Sequence, residues 1–144
     1  MAISAEQVAT LRAQLAGDFT EYELRWERLE PTARATYGAL LSAAFCEAVE
    51  RRFNESTPIE EIIEFVSSVR ARSERVTDDL DPRVAERMIL AVYTNEEIDD
   101  VDSQTRGVVQ MIVLAALVSD AHLDDLGLDE LLGEARKLAD QWLE

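Results

Sequence analysis

Apolar positions recur along this chain at steps of three and four, not two, the spacing that gathers side chains on one face of a helix. Val8, Leu11, Leu15, Phe19, Tyr22, Trp26 and Leu29 follow one another at steps of 3, 4, 4, 3, 4 and 3. Ser4 and Gln7 have the spacing of a capping box, so the pattern predicts one long helix from Ala5 that keeps its phase across Gly17-Asp18. The competing reading breaks it there into two helices, because glycine weakens a helix interior. Pro31, whose missing N–H is harmless in a first turn, opens a second helix reaching about Phe53. Its apolar side holds Tyr37, Leu40, Leu41, Ala44, Phe45, Ala48 and Phe53, and together the two segments make a long N-terminal helical hairpin.

Thr57-Pro58 then presents a cap residue and a first-turn proline, followed by Glu60 and Glu61 near the positive helix end. Ile59, Ile62, Ile63, Val66 and Val69 form the expected inner face, and Arg70, Arg72 and Arg75 collect in the last turns. Asp81-Pro82 repeats the start signal for a helix that buries Val84, Met88, Ile89, Val92 and Tyr93 and stops at Asn95. Near residues 103–119, Val108, Val109, Met111, Ile112, Val113, Leu114, Leu117 and Val118 cover nearly all sides of a helix, which predicts a central, fully surrounded element. A final helix from about Leu128 sets Leu131, Leu132, Ala135, Leu138 and Trp142 at helical spacing. The sum is an all-α chain, a single-domain bundle of about six helices over residues 1–144, with no alternating strand pattern.

Composition sharpens this in two ways. At 144 residues with 47% hydrophobic content the chain can bury a core, and five Gly with three Pro supply too few turns for a sandwich or barrel. Charge restricts partners: 30 acids against 14 bases leave a net charge of −16, which repels a phosphate backbone, so nucleic acid is not expected. Arg52, Arg70, Arg72 and Arg75 are the nearest approach to a basic cluster. The longest apolar run, Val108 to Val118, is interrupted by Gln110 and falls short of the roughly 20 residues a membrane span needs. A single cysteine, Cys46, and a polar start after Met1 fit a reducing cytoplasm.

The excess negative charge is uneven along the chain. Residues 95–144 carry 13 acids and 3 bases, whereas residues 1–57 carry 9 and 6 and residues 58–94 carry 8 and 5. Two acidic segments flank the apolar helix: Glu96, Glu97, Asp99, Asp100 and Asp102 on one side, and Asp120 to Asp125, with Asp124 and Asp125, on the other. They are either solvated loops that cap helices or a docking face for a basic protein. Neither fits an EF-hand: counted from Asp100 the sixth and twelfth positions hold Thr105 and Met111, and counted from Asp120 they hold Asp125 and Leu131.

Catalytic constellations are sparse. Cys46 and His122 have no sequence cue joining them; Cys46 reads as a small buried hydrophobe and His122 as a helix C-terminal residue. Phosphate-cradling glycine loops and zinc-ligand spacings are missing from the sequence. Glu60-Glu61-x-x-Glu64 followed by Glu96-x-x-Asp99 resembles the EExxE and ExxD elements of the all-α nucleotide pyrophosphohydrolases of the MazG type. That resemblance implies magnesium held by Glu60, Glu61, Glu64, Glu96 and Asp99 and bridging the substrate's phosphates. The helical phase instead sets Glu60 and Glu64 opposite the apolar stripe and Glu96 and Asp99 in a loop. Phe19, Tyr22, Trp26 and Trp142 lie on apolar stripes and are expected in the core, or else as aromatic anchors of a homodimer. The leading reading is a non-enzymatic cytoplasmic protein without cofactor, of inhibitor, immunity or adaptor type, that meets a basic protein through an acidic C-terminal face. A magnesium-dependent hydrolase and a structural homodimer are the alternatives.

Overall fold

A computed structural model describes residues 2–144. The described residues form eight helices and no strand: α1 (Ala5–Leu15), α2 (Phe19–Arg28), α3 (Pro31–Arg52), α4 (Ile59–Arg70), α5 (Glu74–Asp79), α6 (Pro82–Thr94), α7 (Ser103–Ala121) and α8 (Asp125–Trp142). The chain is therefore all-α, with two more helices than the periodicity predicts. The chain gathers into two compact units, one of residues up to Glu47 together with Ala121–Glu144, the other Ala48–Asp120.

In the first unit the expected long helix is broken. Gly17 has φ +77, a left-handed conformation that costs a residue with a Cβ. Its N–H donates to Gln14 O at 3.2 Å and the Asp18 N–H donates to Ala13 O at 3.0 Å, the paired bonds of a Schellman end. Asp18 then caps α2 by accepting from Glu21 N at 3.2 Å. Phase survives across the break, which is why apolar spacing alone does not register it. The Ser4 capping box forms as predicted. Its Gln7 does more than cap, since the side chain is 1% exposed and its Nε2 donates to Ala33 O and Thr36 Oγ1, each at 2.8 Å. Thr10 is likewise buried while Val8 is only half-buried, so α1 is turned away from the predicted stripe. α1 packs on α2 and α8. One end of the α1–α8 pairing is tied by Ile3 N donating to Asp140 Oδ1 at 2.6 Å, the other by Arg12 donating to Asp125 and Asp129.

The second unit shows a similar mixture. Pro58 itself is the N-cap of α4, and Thr57 instead accepts from Asn54 N at 2.9 Å, closing the preceding turn. Predicted to run on past Arg72, the helix stops at Arg70, because Ser73 caps a separate short helix by accepting from Val76 N at 3.1 Å. Arg70 Nε donates to Leu80 O at 3.0 Å and Nη2 to Thr77 O at 3.2 Å, so this arginine stitches α5 back onto α4. The buried face of α4 is Ile62, Phe65, Val66 and Val69; Ile59 and Ile63, expected inside, are exposed. Asp81 accepts from Arg83 N and Val84 N ahead of Pro82, and Asn95 ends α6 with φ 59, both as predicted. On α6 the buried residues are Ala85, Met88 and Ile89, while Val84, Val92 and Tyr93 are half-buried.

α7 is not surrounded on all sides. Val109, Val113, Leu114, Ala116 and Leu117 are buried, whereas Val108 is 40% exposed and Met111, Ile112 and Val118 are half-buried. α8 begins at Asp125, three residues earlier than predicted, since Asp124 caps it by accepting from Gly127 N at 2.7 Å. None of the four large aromatics expected in the core is buried: Phe19 and Trp142 are exposed and Tyr22 and Trp26 half-buried. Trp26 meets Tyr37 edge-on at 5.2 Å between ring centres and lies under the Arg34 guanidinium at 5.6 Å. Cys46 is half-buried and has a partner within the chain, so it is not an isolated core thiol.

Candidate functional site

The carboxylates singled out in the sequence divide into those the fold uses and those it leaves open. Arg87 presents both guanidinium nitrogens to Asp100 at 2.8 and 2.9 Å. Asp102 caps α7, accepting from Thr105 N at 2.7 Å. Asp124 caps α8, and Asp125 accepts from Arg12 at 3.1 Å. Glu96, Glu97 and Asp99 are exposed, and among the described residues no hydrogen bond or ion pair holds their carboxylates. Asp120, read as part of an acidic loop, lies in α7, where Arg72 forks onto it at 2.8 and 2.9 Å and Arg52 approaches at 3.7 Å. Arg52 also covers the rings of Phe53 and Phe65 at 5.6 and 5.2 Å. With Arg70 bound to backbone carbonyls and Arg75 near Asp79 at 3.9 Å, all four clustered arginines have partners inside the chain.

The Arg87–Asp100 fork also acts on the acidity of Asp100. The hydrogen bond from Arg87 holds the Asp100 carboxyl down from its ordinary 3.8 to about 2, with Coulombic help from Arg87 and Arg106. A lowered folded pKa means that the pairing contributes stability above the unfolded value of 3.8 and loses it as pH falls through about 2. Arg87→Gln is therefore expected to lower the urea midpoint at neutral pH and to converge with the unsubstituted protein near pH 2. Identical midpoints at neutral pH would show that the fork contributes nothing. Both side chains are exposed, so the difference should be small and weakened by salt.

Partition of charge changes when the fold is considered. The 14 acids and 6 bases of the first unit and the 16 and 8 of the second leave each with a net charge of −8. The asymmetry along the chain thus disappears in space, because the acidic α8 folds together with the mildly acidic N-terminal segment. Glu96 to Asp102 belong to the second unit, and Asp124 and Asp125 to the first.

Glu60, Glu61 and Glu64 are exposed on α4, and no group of three or more acidic, histidine or cysteine side chains among the described residues is placed to hold a metal ion. Glu96 and Asp99 do not join them in such a group. His122 follows α7 in a left-handed conformation, φ 50, at the helix C-terminal position expected of it. In the first unit an open cavity of about 390 Å³ is lined by Ser4, Glu6, Gln7, Arg28, Glu30 and Thr32, among others. It holds hydroxyls and two carboxylates against one guanidinium, with no histidine or thiol to serve as base or nucleophile. Burial pushes the Tyr37 hydroxyl up from its ordinary value, and that group donates to Gln14 Oε1 at 3.2 Å.

Exposed apolar side chains are what the helical pattern misses most. Phe19, Leu24, Leu126 and Trp142 in the first unit and Ile59, Ile63 and Val108 in the second are open to solvent. Leu126 escapes notice in the sequence because it falls between the acidic segment ending at Asp125 and the helix expected from about Leu128. Comparison with protein families, with characterised proteins and with solved structures finds no match to this chain. No helix among the described residues is long and apolar enough to cross a membrane.

Proposed function

We propose that this chain acts as a single helical domain in the cytoplasm, is not an enzyme, and works by binding another, basic protein, in the manner of an inhibitor, immunity protein or adaptor. The observation that supports this reading best is the segment between α6 and α7. Asp100 is clamped by Arg87 and Asp102 caps α7, so the loop is fixed at one end, and it offers Glu96, Glu97 and Asp99 to solvent with their charges uncompensated by any ion pair among the described residues. A held loop bearing open carboxylates steers a basic partner and fixes its orientation.

The structural duties of Asp100 and Asp102 decide how the reading is tested, since neutralising either would disturb the fold as well. Glu96→Gln, Glu97→Gln and Asp99→Asn together remove three charges that no hydrogen bond or ion pair holds among the described residues, Glu96 acting on Arg87 only through its field. Affinity capture from the native host at low and moderate salt is expected to recover a basic protein with the unsubstituted chain and about tenfold less with the triple variant. Equal recovery by both would overturn the role of the loop, and recovery of no basic partner would overturn the reading.

A further inference from the structure

The cavity of the first unit, about 390 Å³, lies within the roughly 300–1,000 Å³ of small-ligand pockets. It is lined by residues from the start of α1, the turn between α2 and α3, and the start of α3. Gln7 Nε2 donates to Ala33 O and Thr36 Oγ1, which ties the first turns of α1 and α3 to each other. Gln7 and Leu29 give the cavity a buried part of its lining, and Glu6, Arg28, Glu30 and Thr32 line it from exposed positions. Among the described residues no hydrogen bond or ion pair engages the side chains of those four. Arg12, Arg25 and Arg34 of the same unit are all engaged, with carboxylates or backbone carbonyls. One uncommitted guanidinium and two uncommitted carboxylates thus line a single cavity.

We propose that this cavity binds a basic α-amino acid, with the ligand's carboxylate on Arg28 and its two cationic nitrogens on Glu6 and Glu30. Charge balance selects the ligand. A guanidinium forks onto a carboxylate, and a carboxylate accepts charge-assisted hydrogen bonds from an ammonium or guanidinium group. A simple anion would meet two carboxylates for one cation, and a diamine would leave Arg28 facing positive charge. One carboxylate with two cations answers all three side chains, and the Thr32 hydroxyl can donate to the first or accept from the others. The tied first turns of α1 and α3 hold the lining in place before a ligand arrives. This site goes beyond the protein contact assigned to the α6–α7 segment, which belongs to the other unit.

Isothermal titration calorimetry of the full chain with L-lysine, cadaverine and L-glutamate at low salt tests it. Cadaverine is lysine without its carboxylate, so attraction to a net charge of −16 alone would favour cadaverine. The cavity instead is expected to bind lysine about tenfold more tightly than cadaverine, and glutamate at least about tenfold more weakly than lysine. Arg28→Gln should weaken lysine about tenfold and leave cadaverine no weaker, and Glu30→Gln should weaken both about fivefold. Neither side chain has a partner among the described residues, so circular dichroism of both variants should match that of the unsubstituted chain. In nitrogen-resolved NMR spectra, lysine should shift the side-chain amide of Gln7, which borders the cavity. No binding of lysine, lysine no tighter than cadaverine, undiminished lysine binding by Arg28→Gln, or an unmoved Gln7 amide would each overturn the site. Loss of lysine binding on neutralising Glu96, Glu97 and Asp99 would do the same, by moving the contact to that segment. Lysine binding that survives those three substitutions stands whether or not a protein partner is found.

Discussion

Leu114→Ala is expected to destabilise the protein by about 3 kcal/mol, while Val108→Ala, earlier on the same helix, should cost less than about 1 kcal/mol. Leu114 is completely buried and Val108 is 40% exposed. Truncating the first removes well-packed atoms and leaves a cavity that the surrounding helices fill only in part; truncating the second removes methyl groups that already meet water. The comparison bears on α7 as a whole, because a helix buried on every side would make the two substitutions similarly costly. Urea denaturation of both variants decides it: a shift for Val108→Ala as large as for Leu114→Ala would mean that the exposed side of α7 is covered in solution.

Gln7→Ala should cost about 3 kcal/mol as well, for a different reason. The Gln7 side chain accepts from Ser4 N at 2.7 Å and Ser4 Oγ at 3.1 Å and donates to Ala33 O and Thr36 Oγ1. Removing it takes away two accepted and two donated hydrogen bonds and leaves a cavity at a site only 1% exposed, losses of about 1 kcal/mol per bond. Gln7→Glu separates the two contributions. A carboxylate can still accept from Ser4 N but cannot donate to Ala33 O, so at neutral pH this variant should remain nearly as destabilised as Gln7→Ala. Full retention of thermal stability by Gln7→Glu would show that capping alone accounts for Gln7. Ser4→Ala, which removes only the capping hydroxyl, should cost no more than about 1 kcal/mol.

Much of the architecture is legible because helix starts and stops are local. Asp81-Pro82 and Asn95 mark α6 correctly, since a carboxylate accepting from the second and third N–H groups and a left-handed terminal residue involve only near neighbours. Gly17-Asp18 carries an equally local pair of signals, a left-handed glycine followed by a cap, yet an unbroken apolar stripe masks it. Ser73 is masked in the same way by the arginines around it. Candidate chemistry is less legible. Asp100 and Asp102 look identical to Asp99 in a run of carboxylates, but only the approach of Arg87 from α6 and the start of α7 assign them work in the fold.

The sequence by itself determined an acidic, all-helical chain and the place where most of its helices begin, because capping residues, prolines and three-to-four spacing act through hydrogen bonds that reach no farther than a turn. Only the tertiary structure decided which side of each helix is covered. It turned α1 toward Gln7 and Thr10, left Ile59, Ile63 and Phe19 outside, and divided a charge of −16 into two units of −8. The reason is that burial and charge compensation depend on neighbours far along the chain: Arg12 meets Asp125 across 113 positions and Ile3 meets Asp140 across 137. No periodicity within a helix records what will stand opposite it.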